Sequence, residues 1–138
     1  MKTLAGHPRT ILVDLIRPEM KKYEAIERME ELEELMRTYG GLTVVKKLQR
    51  RNRPDYRTYI GVGKVKEIKS LAIELHASML VVNNILKPGH IYNLSGALKG
   101  TGVTVWDRMD LILHIFEKHA GSQEAKLQIE LARIRHMG

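Results

Sequence analysis

The sequence predicts an α/β domain, a small four-stranded, mainly parallel sheet covered by helices, ending in the start of a long helical or coiled-coil segment. Three observations lead there. Short runs of β-favouring and aliphatic residues alternate with segments whose apolar residues recur every three or four positions, as when strands are joined by crossover helices. At 138 residues and 43% hydrophobic content, the chain can bury one core of that size. It has no cysteine, so neither disulfides nor thiolate-bound zinc substitutes for that core.

Each element has its own signal. Ile11 to Ile16 is a short, largely apolar run closed by Pro18 and reads as a buried strand. From Glu19 to Tyr39 the period changes: Met20, Tyr23, Ile26, Met29, Leu32, Met36 and Tyr39 recur at helical steps. Glu24 with Arg28 and Glu33 with Arg37 are expected to pair on the wet side, and Gly40-Gly41 supplies the stop. Leu42 to Leu48 reads as the second strand. A polar segment around Pro54 follows without a convincing period, a loop of roughly a dozen residues.

Helical spacing resumes at Val65, Ile68, Ala72 and Leu75, and Met79 to Val82 is the third strand. After Asn83-Asn84 a helix begins near Pro88, a residue suited to the first turn because its missing N–H needs no partner there. Ile91, Leu94 and Leu98 mark its buried side. Gly100 and Gly102 bracket a turn into the fourth strand, Val103 to Trp106, and a helix from Met109 to about His119 carries Leu111, Ile112, Ile115 and Phe116. Gly121-Ser122 breaks the pattern before a last helix with Leu127, Leu131 and Ile134. Little of this domain is left for that last stripe to cover, so dimers formed through the exposed terminal helix are an expectation.

The formal charge of +7 is localised. Between Lys46 and Lys69 nine basic side chains face only Asp55 and Glu67, a surplus equal to the net charge of the whole chain. A positive field confined to one segment points to phosphate-rich partners. Within it, Arg50, Arg51, Arg53 and Arg57 are interleaved with Tyr56 and Tyr59. Arginine offers a planar donor fork to phosphate and stacks on exposed bases. The loop from Gln49 to Lys64 is therefore the first candidate for RNA contact, with Arg50, Arg51, Arg53, Tyr56, Arg57 and Lys64 as its binding residues.

Other chemistry finds less support. Gly61-Val62-Gly63-Lys64 resembles a phosphate loop, but Thr58 stands where the first glycine belongs and Val65 where Ser or Thr would meet magnesium. The six histidines show no i,i+4 metal pair, and the serines lack a G-x-S-x-G setting; no metal site and no catalytic residue is expected. Asn83, Asn84, Asp107 and Arg108 fall at the carboxyl ends of the third and fourth strands, the edge where open α/β sheets place ligands. That makes them a candidate ligand edge, although for Asp107 capping of the following helix is the favoured reading. No run is long and apolar enough for a bilayer span, and the first residues lack a signal-peptide core. A cytoplasmic location is expected.

Gln49-Arg50-Arg51, then Pro54 through Lys64 ending Thr58-Tyr59-Ile60-Gly61-Val62-Gly63-Lys64, resembles the signature of the HflX family of ribosome-associated GTPases. Asp107-Arg108 with Leu111-Ile112-Leu113 and Ile115-Phe116 is similar to a second family block, and Glu124 with Lys126-Leu127-Gln128-Ile129-Glu130-Leu131-Ala132 to a third. Val65 after the signature lysine and Trp106 before Asp107 are departures that leave the resemblance intact. It implies an N-terminal α/β domain over residues 1–120, with 121–138 as the truncated start of a two-helix linker, and a GTPase domain outside this chain. It also implies binding of the large ribosomal subunit, with the basic loop on rRNA near the peptidyl-transferase centre, and ribosome splitting or rescue by some members. GTP and magnesium would then be held elsewhere, since G-x-x-x-x-G-K-[ST], N-K-x-D and D-x-x-G are all lacking here, and the chain itself would be no enzyme. The alternatives are a small domain binding ATP or a similar nucleotide beside Lys64 and Asp107, and a dimerisation module.

Overall fold

The computed structural model describes residues 6–119 and 132–133. Four strands and four helices alternate in order: β1 Arg9–Ile16, α1 Lys22–Tyr39, β2 Leu42–Arg50, α2 Val62–Glu74, β3 Met79–Val82, α3 Pro88–Ala97, β4 Thr104–Asp107 and α4 Arg108–His119. The sheet runs β2-β1-β3-β4, every neighbouring pair parallel, so the α/β fold expected from the alternation is the one observed. The linker residues 121–131 and 134–138, with the expected terminal helix and its dimer, lie outside the described residues.

The strand order fixes where the helices lie. Moving from β1 to β2 goes one way across the sheet, whereas β2 to β3 and β3 to β4 go the other. With right-handed crossovers, α1 must therefore cover one face and α2 and α3 the opposite one. The core divides accordingly. Ile11, Val13 and Leu15 pack with Val65, Ile68, Leu94 and Leu98; Leu12 packs on the other side with Met29, Leu32, Met36 and Leu111. β1 is buried on both faces, and aliphatic residues fill Ile11 to Ile16 except at Asp14.

Helix α1 turns a narrower face inward than its full stripe suggests. Ala25, Met29, Leu32 and Met36 are buried, while Tyr23 and Ile26 are exposed. Neither expected i,i+4 pair forms: two of the charges cross to the sheet, and the third takes a different partner on the helix. Arg28 leaves Glu24 for Asp14 on β1, Glu33 meets Lys46 of β2 at 3.1 Å, and Arg37 pairs with Glu34. Glu24 instead accepts the backbone N–H of Lys21 at 3.1 Å, closing the first turn. At the other end Gly40 takes φ +110°, which glycine adopts without strain, and its N–H reaches the carbonyls of Met36 and Arg37.

Asp14 is fully buried and forms a bidentate pair with Arg28, at 2.8 Å from Nε and 2.7 Å from Nη2. The Asp14 carboxylate beside it raises the Arg28 pKa above its ordinary value. The single tryptophan, Trp106, stacks on His114 at 4.0 Å and meets Tyr39 edge-on at 5.1 Å, joining β4 to α4 and α1.

Candidate nucleic-acid interface

β2 carries the chain to the basic loop. It continues two residues beyond Leu48, with Gln49 and Arg50 registered against Leu15 and Ile16. Arg50 then folds over the β1–α1 connection, its Nη1 lying 2.7 Å from the carbonyl oxygen of Met20 and 3.0 Å from that of Pro18. Arg51 donates through Nε to the Arg53 carbonyl at 3.0 Å. These two arginines thus spend part of their donor capacity on the protein.

The segment that follows is ordered by a carboxylate rather than left as a free finger. Asp55 and Tyr59 exchange backbone hydrogen bonds, both at 2.9 Å. The Oδ1 atom of Asp55 also accepts the N–H groups of Arg57 at 2.8 Å and Thr58 at 3.1 Å, an Asx-type turn. Those bonds, Thr58 first and Arg57 next, hold the Asp55 carboxyl below the usual aspartate range. Tyr59 is forced to φ +67°, a conformation that costs a non-glycine residue about 1–3 kcal/mol unless its surroundings impose it. Here they do: besides the Asp55 pairing, its ring meets His90 edge-on at 5.3 Å. Burial first, and then the charge of Asp14, push the Tyr59 hydroxyl up.

Two contacts fasten the loop at its ends. Gln49 Oε1 accepts the Gly61 N–H at 2.8 Å, and Asn93 of α3 donates to the Arg57 carbonyl at 2.9 Å. A Cβ on Gly61 would come within 2.6 Å of Arg51 Nη1 and 2.9 Å of Gln49 Nε2, so glycine lets both side chains pack against the backbone. The Gly61 N–H, used by Gln49, is correspondingly unavailable for cradling a phosphate.

What the turn displays is cationic and aromatic. Arg53, Tyr56 and Arg57 are exposed, Tyr56 at 80%, and among the described residues the two guanidinium groups have no hydrogen-bond or ion-pair partner. Lys64 differs from them. It lies at 3.0 Å from Glu67, which also takes Lys47 at 2.7 Å; bonds from Lys47 and then Lys64 lower the Glu67 pKa. Of the six candidate RNA-binding residues, then, Arg53, Tyr56 and Arg57 are presented outward together, Arg50 and Arg51 flank them partly engaged, and Lys64 sits in a local ion triad.

The candidate ligand edge is knitted internally. Asn84 both accepts from the Leu15 N–H at 3.1 Å and donates to the Leu15 carbonyl at 3.0 Å. Buried Asn83 accepts from Arg108 at 2.9 Å, and Arg108 reaches Glu31 at 3.3 Å. Asp107 caps α4: its Oδ1 accepts the Asp110 N–H at 2.8 Å while its own N–H reaches Asp110 Oδ2 at 3.0 Å. Its Oδ2 accepts from Leu86 at 2.9 Å. These residues position the strand ends. Among the described residues, no group of three or more His, Asp or Glu could hold a metal ion, and no helix is long and apolar enough to cross a membrane.

Asp55, Gln49 and Asn93 shape the interface without having been singled out as site residues. Asp55 had a local signal, Asp followed three residues later by Thr in a Pro-containing loop. Asn93 had none, because its partner lies 36 positions away.

Comparison with known proteins sets this arrangement in a family. The GTP-binding GTPase N-terminal family matches residues 26–117. GTPase HflX of Lacrimispora saccharolytica is 43% identical over 108 residues, 78% of this chain and 25% of that protein. GTPase HflX of Thermofilum pendens is 46% identical over 107 residues, 78% of this chain and 24% of that one. A crystal structure of a GTP-binding protein from Sulfolobus solfataricus in complex with GDP superposes with a TM-score of 0.61 at 33% identity, covering 93% of this chain and 36% of the other. The chain thus spans about a quarter of the curated relatives it matches. On the family match, these relatives and the shared fold, it belongs to the GTP-binding GTPase N-terminal family, as an HflX N-terminal domain.

Proposed function

We propose that this domain grips rRNA of the large ribosomal subunit through the loop of residues 51–61, as the ribosome-contacting part of an HflX protein. The observation that carries the reading is the outward set of Arg53, Tyr56 and Arg57, the two guanidinium groups having no partner among the described residues, within the stretch from Lys46 to Lys69 whose surplus equals the net charge of the chain. Free guanidinium groups bind phosphate and stack on bases, and a fixed turn lowers the entropy lost when they do so. GTP hydrolysis, with its magnesium, belongs in this reading to a part of the protein outside this chain, whose nucleotide state sets how long the whole stays bound and serves ribosome splitting or rescue in the cytoplasm. Nucleotide binding at the carboxyl edge is less favoured, because the Asp107 oxygens already accept backbone N–H groups.

The test is a titration against purified large subunits and against ATP and GTP at two salt concentrations, with wild type and an Arg53→Ala/Arg57→Ala variant. Losing two phosphate contacts should weaken subunit binding and flatten the log–log salt slope by about 1.4–1.8. Subunit binding unaffected by the double substitution, or nucleotide binding tighter than subunit binding, would refute the assignment.

A further inference from the structure

Beside the loop, a groove of about 300 Å³ is lined by Thr58, Val62, Val65, Lys66, Lys69 and Ala97, from the loop, α2 and α3. Val65 and Thr58 are buried, and Val62, at the mouth, is 58% exposed. Lys66 and Lys69 are exposed, and among the described residues neither ammonium has an ion-pair or hydrogen-bond partner. Glu67, between them in sequence, is occupied by Lys47 and Lys64. An apolar slot flanked by two unpaired cations is complementary to a flat apolar group bearing negative charge at its edge.

Size and position narrow the occupant. The volume is at the low end of ligand pockets, which run from about 300 Å³ upward, and suits one planar group rather than a helix. Thr58 belongs to both the loop and the groove, next to exposed Arg57. A strand held by the loop arginines would therefore pass the groove's mouth.

We infer that the groove receives one unstacked nucleotide of the bound RNA, its base against Val62, Val65 and Ala97 and its flanking phosphates on Lys66 and Lys69. This rests on the proposed RNA contact and adds that the partner presents a single-stranded base there. A duplex keeps its bases stacked inside and offers nothing to fill the slot.

Val62→Trp and Ala97→Trp fill the groove without changing charge, whereas Lys66→Gln/Lys69→Gln changes charge and keeps the shape. Binding to large subunits is measured at two salt concentrations for these and for the loop variant, with thermal unfolding as the fold control. Each tryptophan should weaken binding on the order of tenfold or more with the salt slope unchanged. The lysine pair should lower that slope by about 1.4–1.8. A short single-stranded oligoribonucleotide should compete with the subunit for wild type better than its duplex does. If the loop variant loses binding while both folded tryptophan variants retain it, the groove inference is wrong and the loop reading stands. If the loop variant also binds as wild type does, the RNA reading itself fails. Competition by a glutamate-rich peptide that either tryptophan abolishes would overturn the inference in favour of a protein ligand.

Discussion

Replacing Asp55 with alanine tests whether the basic loop is built or merely exposed. The substitution removes the acceptor of the Arg57 and Thr58 N–H groups. Arg57 is exposed and its N–H can turn to water; Thr58 is only 9% exposed, so its N–H is the costly one. An orphaned, largely buried donor costs about 1–3 kcal/mol. Some relaxation is available in a surface turn, so the expected loss is about 1–2 kcal/mol, a fall in Tm of roughly 5 °C. Asp55→Asn keeps an uncharged acceptor and should lose about half as much.

Thermal unfolding followed by circular dichroism and by Trp106 fluorescence gives the global value, and hydrogen exchange at residues 57 and 58 gives the local one. Subunit affinity should fall as well, because the arginines lose their fixed base. The pH dependence has a definite sign. Asp55 has a lowered folded-state pKa, so its contribution is fully present above the ordinary aspartate value and is lost as pH falls through the lowered one. Wild type should therefore keep the turn at pH 5, and only stronger acid should reproduce the alanine phenotype. Unchanged exchange at residue 58 together with an unchanged Tm in Asp55→Ala would refute the argument.

Other outcomes follow from the same structure. Arg28→Met should cost about 2–3 kcal/mol by denaturant unfolding, below the 3–5 kcal/mol of a fully buried broken pair, because 38% of the Arg28 side chain is in water; adding Asp14→Leu should recover most of it. Arg50→Ala should lower both stability, by about 1 kcal/mol, and subunit affinity, whereas Arg53→Ala should change affinity alone, since only Arg50 bonds to the β1–α1 connection. Tyr59 has a raised pKa, so its folded state holds a proton that the unfolded chain releases near pH 10, and stability should decline as pH rises from there through the raised value; Tyr59→Phe should remove that part of the alkaline decline. Gly61→Ala should cost under about 1 kcal/mol, because only the flexible ends of Arg51 and Gln49 must move, yet it should alter subunit affinity by displacing Arg51.

Which parts of this could be read from residues alone follows from the range of the interactions involved. Period and punctuation located the eight elements of the described residues, since burial of one face is a local, repeated constraint. The ends shifted where pairing rather than hydrophobicity decides. β2 runs on through Gln49 and Arg50 because Leu15 and Ile16 offer backbone partners, a fact no apolar pattern encodes. α1 begins at Lys22 because residues 17–20 form a turn, with the Met20 N–H on the Arg17 carbonyl. The Asp107 cap was legible, its partner being three residues away. Asp14 with Arg28 was not, since a carboxylate inside an apolar strand gives no hint of which cation will cross to it. The charge count picked out the loop, but not that Arg50 would bond to the β1–α1 carbonyls or that Lys64 would pair with Glu67.

The position of β1 has a consequence for synthesis. Its two flanks are closed by strands beginning at Leu42 and Met79, so a nascent chain that has not reached Met79 carries an apolar strand with one edge bare. Such edges recruit other chains. Chaperone dependence and co-translational aggregation of this domain should therefore centre on pauses in translation before β3 emerges.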